Sequence, residues 1–387
     1  MTDHCNTPLK PRAEQREAPD RTPRNIRGFA PLSLRLLCTA LLINTPVLAQ
    51  DAPLPGAAEQ RSDPITGEEI TPETRQAIEN GLAFLSTRQN PDGSFGGGGG
   101  VGASSAITAL SALAFMSAGN LPGRGLYGDN VARAVDAILD AAQPSGLLSD
   151  ENAHGVMYSH GFAALFLGEV YGMTGDPRIK EVLKDAVELI QKSQNHEGGW
   201  RYQPAPVDAD ISVTICQVMA LRAARDAGIN VDREVIDKAI EYVKNCQTAD
   251  GGFSYMLAGG RAHGGSAFPR SAAGLASLYY AGISEGPEVE RALQYLLRNI
   301  PGGNNAGMQA HYYYGHYYAA QAAFLAGGEW WGRWYPAIRE ELIARQNPTS
   351  GAWSGEVNNE YATAMALIIL QMPNRYLPVF SGKGPGS

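Results

Sequence analysis

Six segments of the chain share a pattern in which apolar residues recur at positions i, i+3, i+4 and i+7, with charged residues between them. This period places the apolar side chains on one face of an α-helix and the charged side chains on the other. The pattern therefore predicts six amphipathic helices with one buried face each, over residues 77–88, 132–142, 183–193, 236–246, 289–298 and 335–345.

Each amphipathic segment is followed by a second helical segment that is far more apolar. These segments contain few charges and much alanine, which is typical of helices that are buried on most sides. They are predicted over residues 104–118, 159–171, 210–227, 270–281, 311–326 and 360–370. The pattern therefore predicts six pairs of helices, each with an amphipathic helix followed by an apolar one.

A short signature joins the two helices of each pair. Its best copies read Gln-x-x-x-Gly-x-aromatic, and the others carry an extra residue or are degenerate. The copies begin at Gln89, Gln143, Gln194, Gln247, Asn299 and Gln346. Intervals of 53, 52 and 53 residues separate the last positions of the first four copies, Phe95, Leu148, Trp200 and Phe253. A fixed period of this length is the mark of a repeat protein.

The repeat predicts an all-α fold, an (α/α)6 toroid of six helical hairpins. A single hairpin cannot bury its apolar face alone, so the hairpins stack, and closing the ring removes the exposed ends. The apolar helices would form an inner barrel and the amphipathic helices an outer sleeve. An open solenoid is the alternative. The signature glycine would allow a tight turn after the outer helix, and the aromatic residue would fill the space between hairpins.

The N-terminal region has the features of an export signal. Arg24, Arg27 and Arg35 precede an apolar run over residues 36–48, which is too short to span a bilayer and ends in Val-Leu-Ala before the predicted cleavage. We predict a signal peptide over 1–49, a linker over 50–71, the toroid over 72–380 and a disordered tail over 381–387. A short membrane anchor is the alternative. The protein is thus expected in the periplasm or outside the cell, with no membrane span after removal of the signal.

The charge argues against one class of binding partner, and the cysteine count argues against a fold held together by disulfides. The net charge is −8, and removal of the basic leader makes the rest more acidic, which argues against nucleic-acid binding. Cys216 and Cys246 remain after cleavage, too few for a disulfide framework. Two buried free thiols are expected, and a single disulfide is the alternative.

The Gln-x-x-x-Gly-x-aromatic signature resembles the repeat of the terpenoid (squalene) cyclase and protein prenyltransferase superfamily. The resemblance covers roughly residues 72–380 and implies a toroid with a ligand cavity at the open end of the inner barrel. It also implies a hydrophobic or isoprenoid-like ligand. The two branches of that superfamily perform different chemistry, and each has its own motif.

Asp208-Ala209-Asp210-Ile211 resembles the Asp-x-Asp-Asp motif of class II terpenoid cyclases, in which the middle aspartate protonates an alkene or an epoxide. By this resemblance Asp210 is the catalytic acid, assisted by Asp208, and Ile211 stands where the last aspartate would be. Those cyclases are expected to carry a second helical domain, for which this chain has no room.

The same segment resembles the zinc site of protein prenyltransferase β subunits, an Asp-x-Cys with a later histidine. Asp208 matches the aspartate, Asp210 replaces the cysteine, and His311 or His316 would supply the histidine. A site without the thiolate is a poorer zinc ligand set. The preferred interpretation therefore includes no metal and no other cofactor.

The inner helices should all begin at one rim, so that polar groups in their first turns converge at the mouth of the barrel. Helix N-termini would then lower the pKa of Asp210 unless apolar burial reverses the effect. Polar residues at i, i+4 and i+7 on the inner helices are predicted to line the lumen. Four such triplets are Ser104, Thr108 and Ser111; Asp210, Thr214 and Gln217; Arg270, Gly274 and Ser277; and Tyr314, Tyr318 and Gln321.

From these positions we predict a ligand site formed by His160, Arg270, His311, Tyr314, Tyr318 and Gln217. Each has a structural alternative. Asp208 or Asp210 would cap a helix, Arg270 would pair with Asp210 or Glu360, and His160 would be a buried histidine with satisfied hydrogen bonds. Tyrosines that face the lumen would stabilise a cation or stack on a flat or isoprenoid ligand.

Three hypotheses for function follow. The first is an exported isoprenoid cyclase or isomerase with Asp210 as the acid. The second is a protein that binds a lipid, glycan or peptide, or serves as a scaffold, and makes no bond. The third is a zinc-dependent prenyl transferase that uses Asp208, Asp210 and a histidine. Residue types alone do not identify a protein partner.

Overall fold

A computed structural model describes residues 69–97, 102–149, 155–302 and 310–381. The predicted signal peptide, most of the linker and all but the first residue of the predicted tail lie outside these residues. The outer helices are α1 (Pro72–Ser86), α3 (Gly128–Asp140), α5 (Pro177–Lys192), α7 (Arg233–Asn245), α9 (Pro287–Leu297) and α11 (Gly328–Arg345). The inner helices are α2 (Ser105–Ser117), α4 (Val156–Thr174), α6 (Ile211–Asp226), α8 (Phe268–Tyr280), α10 (Tyr312–Ala326) and α12 (Asn359–Gln371).

All twelve predicted helices are present, and most of their ends lie within a few residues of the prediction. The largest difference is at α11, which begins at Gly328 and contains Pro336. A two-stranded antiparallel hairpin, β1 (Met256–Ala258) and β2 (Arg261–His263), was not predicted. Its two-residue turn consists of Gly259 and Gly260, both with positive φ, as the favoured hairpin turn requires.

The inner helices form a closed ring. Each packs against the inner helix before and after it, and α12 completes the circle by packing against both α10 and α2. The toroid is therefore confirmed, and the open solenoid is excluded. Closely packed glycines allow this arrangement: a Cβ added at Gly161 of α4 would lie 2.8 Å from the Cβ of Cys216 on α6.

The signature glutamine joins each well-kept repeat to the next. Gln89 Nε2 donates to Gly93 O within its own loop, at 2.8 Å, and to Asn130 O in the next outer helix, at 2.9 Å. Gln194 and Gln247 make equivalent bonds to Val235 O and Glu288 O. The sixth copy reaches the first repeat, because Gln346 Nε2 donates to Ala77 O in α1 at 2.8 Å.

The signature glycine is required for two reasons. Gly93 and Gly351 have φ values of +88° and +73°, which residues with a side chain rarely adopt. Each also lies directly against the next outer helix, and a Cβ added at Gly351 would come within 2.6 Å of Asn80 O. The tight turn and the close approach between repeats thus depend on the same residue.

The last residue of the signature is buried and anchored to the inner helix. Phe95, Leu148, Trp200, Phe253 and Trp353 have no exposed surface. Their backbone N–H groups donate to side chains on the following inner helix. The acceptors are Thr108 Oγ1, His160 Nδ1, Thr214 Oγ1, Ser271 Oγ and Thr363 Oγ1. Thr108 and Thr214 therefore face the signature loops, and the prediction that they line the lumen is wrong.

A C-terminal segment covers the end of the barrel opposite the signature loops. Its short helix α13 (Pro378–Ser381) packs against α4, α6 and α10 and buries Val379. The buried Glu169 of α4 accepts a hydrogen bond from Val379 N at 3.2 Å. Burial raises the pKa of Glu169 from 4.5 to about 8 against the opposing effect of the Val379 N–H group, with Asp226 adding to the increase and Arg222 opposing it.

Loss of the ring-closing amide should destabilise the fold. Replacement of Gln346 by Ala removes both amide hydrogen bonds and leaves Ala77 O in part-buried surroundings, at a cost of about 1–2 kcal/mol in the free energy of unfolding. Urea unfolding followed by circular dichroism measures this loss. Gln76→Ala, which removes an exposed amide pair with Asn80, is the control and should change stability by less than about 0.5 kcal/mol. Equal losses in the two variants would contradict a special role for Gln346.

Glu169 should make stability depend on pH. Because its pKa is higher in the folded state, Glu169 favours folding at low pH, and that contribution is lost as pH rises from about 4.5 to about 8. Glu169→Gln keeps an acceptor for Val379 and cannot ionise. The gain in the free energy of unfolding over the natural chain should thus be larger at pH 8 than at pH 5, by about 3 kcal/mol, and thermal unfolding at the two pH values measures it. The exposed Glu241→Gln should show no such difference between the two pH values.

Candidate functional site

Asp210 is the N-cap of α6. Its Oδ1 accepts hydrogen bonds from Ser212 N at 2.8 Å and Val213 N at 2.9 Å, and its backbone N–H donates to Trp200 O. The side chain has no exposed surface. The helix-capping interpretation of Asp210 is therefore confirmed, and the carboxyl group is held rigidly at the start of the third inner helix.

The second oxygen of Asp210 faces two groups that the sequence analysis missed. Tyr255 OH donates to Oδ2 at 3.2 Å, and Arg201 Nε lies 3.8 Å from the same oxygen. The hydroxyl of Tyr255 also bonds to the hydroxyl of Tyr202, whose ring is partly exposed. Two phenols thus connect the buried carboxyl group to the surface.

Burial dominates the protonation of Asp210. It raises the pKa of Asp210 from 3.8 to about 6, against the opposing effects of the Val213 and Ser212 N–H groups, the Tyr255 hydroxyl and the Arg201 cation. The N–H groups at the start of α6 thus lower this pKa, as expected, and burial reverses their effect. The cap hydrogen bonds favour the ionised form, but they do not offset the loss of water around the carboxylate.

Arg201 is held among aromatic rings and a second carboxylate. Its guanidinium carbon lies 5.2 Å from the ring centre of Tyr202 and 5.8 Å from that of Tyr255. One terminal nitrogen bonds to Asp208, whose side chain is 51% exposed. Tyr202 and Tyr255 occupy the same position in consecutive repeats, two residues after the signature aromatic. That shared position is the sequence signal that would have identified them.

Tyrosines of α10 extend across the lumen. Tyr314 OH donates to Ser212 O at 2.9 Å, and Tyr318 OH lies 3.3 Å from Cys216 Sγ, both on α6. The ring of Tyr317 lies 6.3 Å from that of Phe162 on α4, which is the opposite hairpin of the ring. Tyr314 therefore contacts the first turn of α6, the helix that Asp210 caps, while Tyr317 and Tyr318 fill the barrel below it.

His160 is a structural residue. Its Nδ1 accepts from Leu148 N at 3.1 Å, so Nε2 carries the proton and donates to Ala186 O at 3.2 Å. The side chain is fully buried, and burial lowers its pKa to about 4. Neither ring nitrogen is left for a ligand, which corrects the assignment of His160 to the ligand site.

Three other predicted site residues do not join Asp210. Arg270 donates to Phe253 O and Gly265 O, so the structural alternative in which it pairs with Asp210 or Glu360 is wrong. Glu360 pairs with Arg88. His311 is largely exposed and bonds to Glu356. Gln217 is buried and donates to Met157 O, with its Oε1 unpartnered.

The zinc ligand set is not assembled. Among the described residues, no three His, Cys, Asp or Glu side chains lie close enough together to hold a metal ion. His316 is buried near the rings of Phe268, Tyr312 and Trp334, and burial lowers its pKa to about 3. Cys216 and Cys246 are both free and buried, as expected.

The geometry agrees with comparisons to known proteins. The model of the prenyltransferase alpha-alpha toroid domain matches residues 67–309. The chain belongs to this family. A search of curated protein sequences finds no significant match. No helix among the described residues is long and apolar enough to cross a membrane.

Two kinds of solved structure share the fold. The GH76A alpha-1,6-mannanase of Salegentibacter sp. HEL1_6 is 12% identical with a TM-score of 0.60, over 77% of this chain and 98% of its own. The type II terpene cyclase MstE from Scytonema, solved as a variant with its product merosterolic acid A, is 15% identical with a TM-score of 0.56, over 79% of this chain and 98% of its own. At these identities, the likeness shows the fold alone.

The cyclase comparison corrects one expectation. MstE is called a type II terpene cyclase, and this single toroid matches 98% of its chain. The expectation that such cyclases require a second helical domain is therefore wrong as a general rule. The size of the present chain carries no argument against cyclase chemistry.

The N-cap bonds should tolerate an amide but not a methyl group. At pH 5 the Asp210 carboxyl is mostly protonated, so Asp210→Asn, which keeps an acceptor oxygen, should stay within about 0.5 kcal/mol of the natural chain. Asp210→Ala should lower the free energy of unfolding by about 1–2 kcal/mol. Urea unfolding of the two variants measures the difference, and equal stability of the Ala and Asn variants would show that the cap contributes nothing.

Proposed function

We propose that this protein is an exported isoprenoid cyclase or isomerase in which Asp210 supplies the initiating proton. The observation that carries the proposal is a fully buried carboxyl group, with a pKa raised to about 6, at the head of an inner helix among aromatic rings. The fold and the position of the Asp-x-Asp segment support the same assignment.

Protonation of an alkene needs an acid that keeps its proton in dry surroundings. Burial near Asp210 supplies this condition, and the fixed cap geometry points Oδ2 away from the helix, towards Tyr255. In the proposed step, the π pair of the alkene forms a C–H bond with the proton, and Asp210 becomes a carboxylate. The cation then takes electrons from a second double bond and finally loses a proton to solvent.

The surrounding rings suit a positively charged intermediate. Tyr158 and Tyr202 lie with ring centres 6.1 Å apart, and Tyr314 and Tyr318 with centres 4.8 Å apart. Faces of aromatic rings attract cations, most strongly where water is excluded. The hydrogen-bonded pair of Tyr255 and Tyr202 provides a route by which a proton from solvent restores Asp210.

The substrate class is proposed as isoprenoid. MstE has been solved as a variant with the substrate geranylgeranyl dihydroxybenzoate, which is a statement about that protein. For this chain, the aromatic surroundings of Asp210 and the shared toroid support an isoprenoid or similarly apolar ligand. Asp210 has no exposed surface. The loop between Trp200 and Asp210, which contains Arg201 and Tyr202, must therefore move for substrate to reach it. The proposal that the protein is exported depends on the signal peptide predicted over residues 1–49.

Binding without bond formation is the second candidate. Asp210 Oδ1 already accepts two hydrogen bonds, Oδ2 accepts a third, and Ile211 replaces the last aspartate of the cyclase motif. A carboxyl group with these partners is also consistent with an Asp210 that only caps α6 and donates no proton. The ligand would then lie above the tyrosines of α10, and no covalent step would occur.

Substrate conversion tests the proposal. Purified protein is incubated with squalene and with linear polyprenyl substrates, and the products are analysed by mass spectrometry coupled to gas chromatography. Asp210→Asn should retain the fold and lower turnover by at least about 10²-fold, because the general acid is removed. The matched control is Asp185→Asn, an exposed aspartate on α5, which should leave turnover unchanged.

Two results would overturn the enzymatic proposal. One is product formation by Asp210→Asn at the rate of the natural chain. The other is no conversion of any substrate together with a ligand that co-purifies intact, detected by native mass spectrometry. The second result would favour the binding candidate.

A further inference from the structure

Arg201 lies between two carboxylates and pairs fully with only one. Its terminal nitrogen bonds to Asp208, while its Nε is 3.8 Å from Asp210 Oδ2. That Nε is buried and donates no hydrogen bond. Charge-assisted hydrogen bonds between a guanidinium and a carboxylate are normally about 2.7–2.9 Å long. The cation therefore stops about 1 Å short of Asp210.

Few other charges face Asp210. The remaining titratable groups around it, on α4, α6, α7, α10 and the loops after Trp200 and Phe253, are phenols and thiols, which are neutral near pH 6. They are Tyr158, Cys216, Tyr242, Cys246, Tyr314, Tyr255 and Tyr202. Glu197 also acts on Tyr242 and Cys246. Among the described residues, Arg201 is the cation within 4 Å of Asp210, and Asp208 is the carboxylate that binds this cation. The arrangement of Arg201 and Asp208 therefore decides which charge lies nearest to the acid.

We infer that Asp208 is a positioning residue, which holds the Arg201 guanidinium away from Asp210 and so lets Asp210 keep the proton that it is proposed to donate. The inference rests on the proposed function only for the claim that Asp210 donates its proton. The effect of Asp208 on the protonation of Asp210 exists without substrate. It gives the first aspartate of the Asp-x-Asp segment a role of its own, and it explains why a buried Arg201 Nε is left without an acceptor.

Release of Arg201 should have a definite consequence. Without Asp208, the guanidinium would be free to close on Asp210 Oδ2 and form a direct ion pair. An opposite charge at that distance lowers the pKa of a carboxyl group by about 1–3 units. Asp210 would then be ionised at pH values where it now carries a proton.

The titration of Asp210 tests the inference in the full-length protein without substrate. The protein is labelled with ¹³C at the aspartate carboxyl carbons, and the Asp210 resonance is identified by its loss in Asp210→Asn. In Asp208→Asn, the midpoint of the Asp210 titration should fall by about one unit or more. Asp208→Glu, which can hold Arg201, should restore it. Asp237→Asn, which breaks an exposed pair with Arg233, should leave the midpoint unchanged.

A double variant separates positioning from direct repulsion between the two aspartates. Loss of a negative charge at Asp208 would itself lower the midpoint, whether or not Arg201 moves. In an Arg201→Gln background, however, only this direct effect remains. The inference is supported if Asp208→Asn has a much smaller effect in that background. It is overturned if the effect is the same with and without Arg201, or if Asp208→Asn alone leaves the midpoint where it was.

The same variants have a kinetic readout once a substrate is found. The pH at which turnover falls to half its maximum should drop in Asp208→Asn by the shift seen in the titration. A titration shift with no turnover in any variant would leave the positioning role intact and count against the proposed function. A normal pH profile in an active Asp208→Asn would count against the positioning role alone.

Discussion

The structure depends on one contact between repeats, the bridge from the signature glutamine to the next outer helix. The amide of Gln89 or Gln346 holds its own loop with one hydrogen bond and donates its second to a neighbouring carbonyl group. The signature glycine places its backbone directly against that same helix. Neither the second hydrogen bond of the glutamine nor the contact of the glycine forms within an isolated hairpin, so each hairpin is completed by its neighbour. The contact from Gln346 to Ala77 joins the last hairpin to the first, where the packing of α12 against α2 also closes the ring.

Weaker copies of the signature show how much of this contact is needed. Gln143 donates to Ser149 O within its own loop. The fifth copy has Asn299, which donates back to Tyr295 O, and its Gly302 N–H is taken by Glu341 of α11. A carboxylate thus holds the junction of the fifth and sixth hairpins in place of an amide. The ring tolerates different chemistry at single junctions because the inner helices also pack continuously.

The loops that join the hairpins also build the candidate site. The bridge between Trp200 and Asp210 places Arg201 and Tyr202 beside the cap of α6, and the next loop adds Tyr255. Asp210 therefore serves the fold as a helix cap and carries the chemistry that we propose. Its protonation reflects two opposing forces, since the cap N–H groups favour the carboxylate and burial favours the acid, and burial is stronger.

The sequence by itself determined the helices, their order and their pairing into six stacked repeats. These features follow from local periods and from a motif that recurs at nearly constant spacing. Tertiary structure decided which side chains meet. His160 and Arg270 share inner-helix starts with Asp210, yet their hydrogen bonds go to the backbone. Arg201 and Tyr255 reach Asp210 because of the paths of two loops, and α10 fills the lumen because its tyrosines are long enough to cross it. Distances of this kind depend on how the ring closes in three dimensions, which no local period of the sequence encodes.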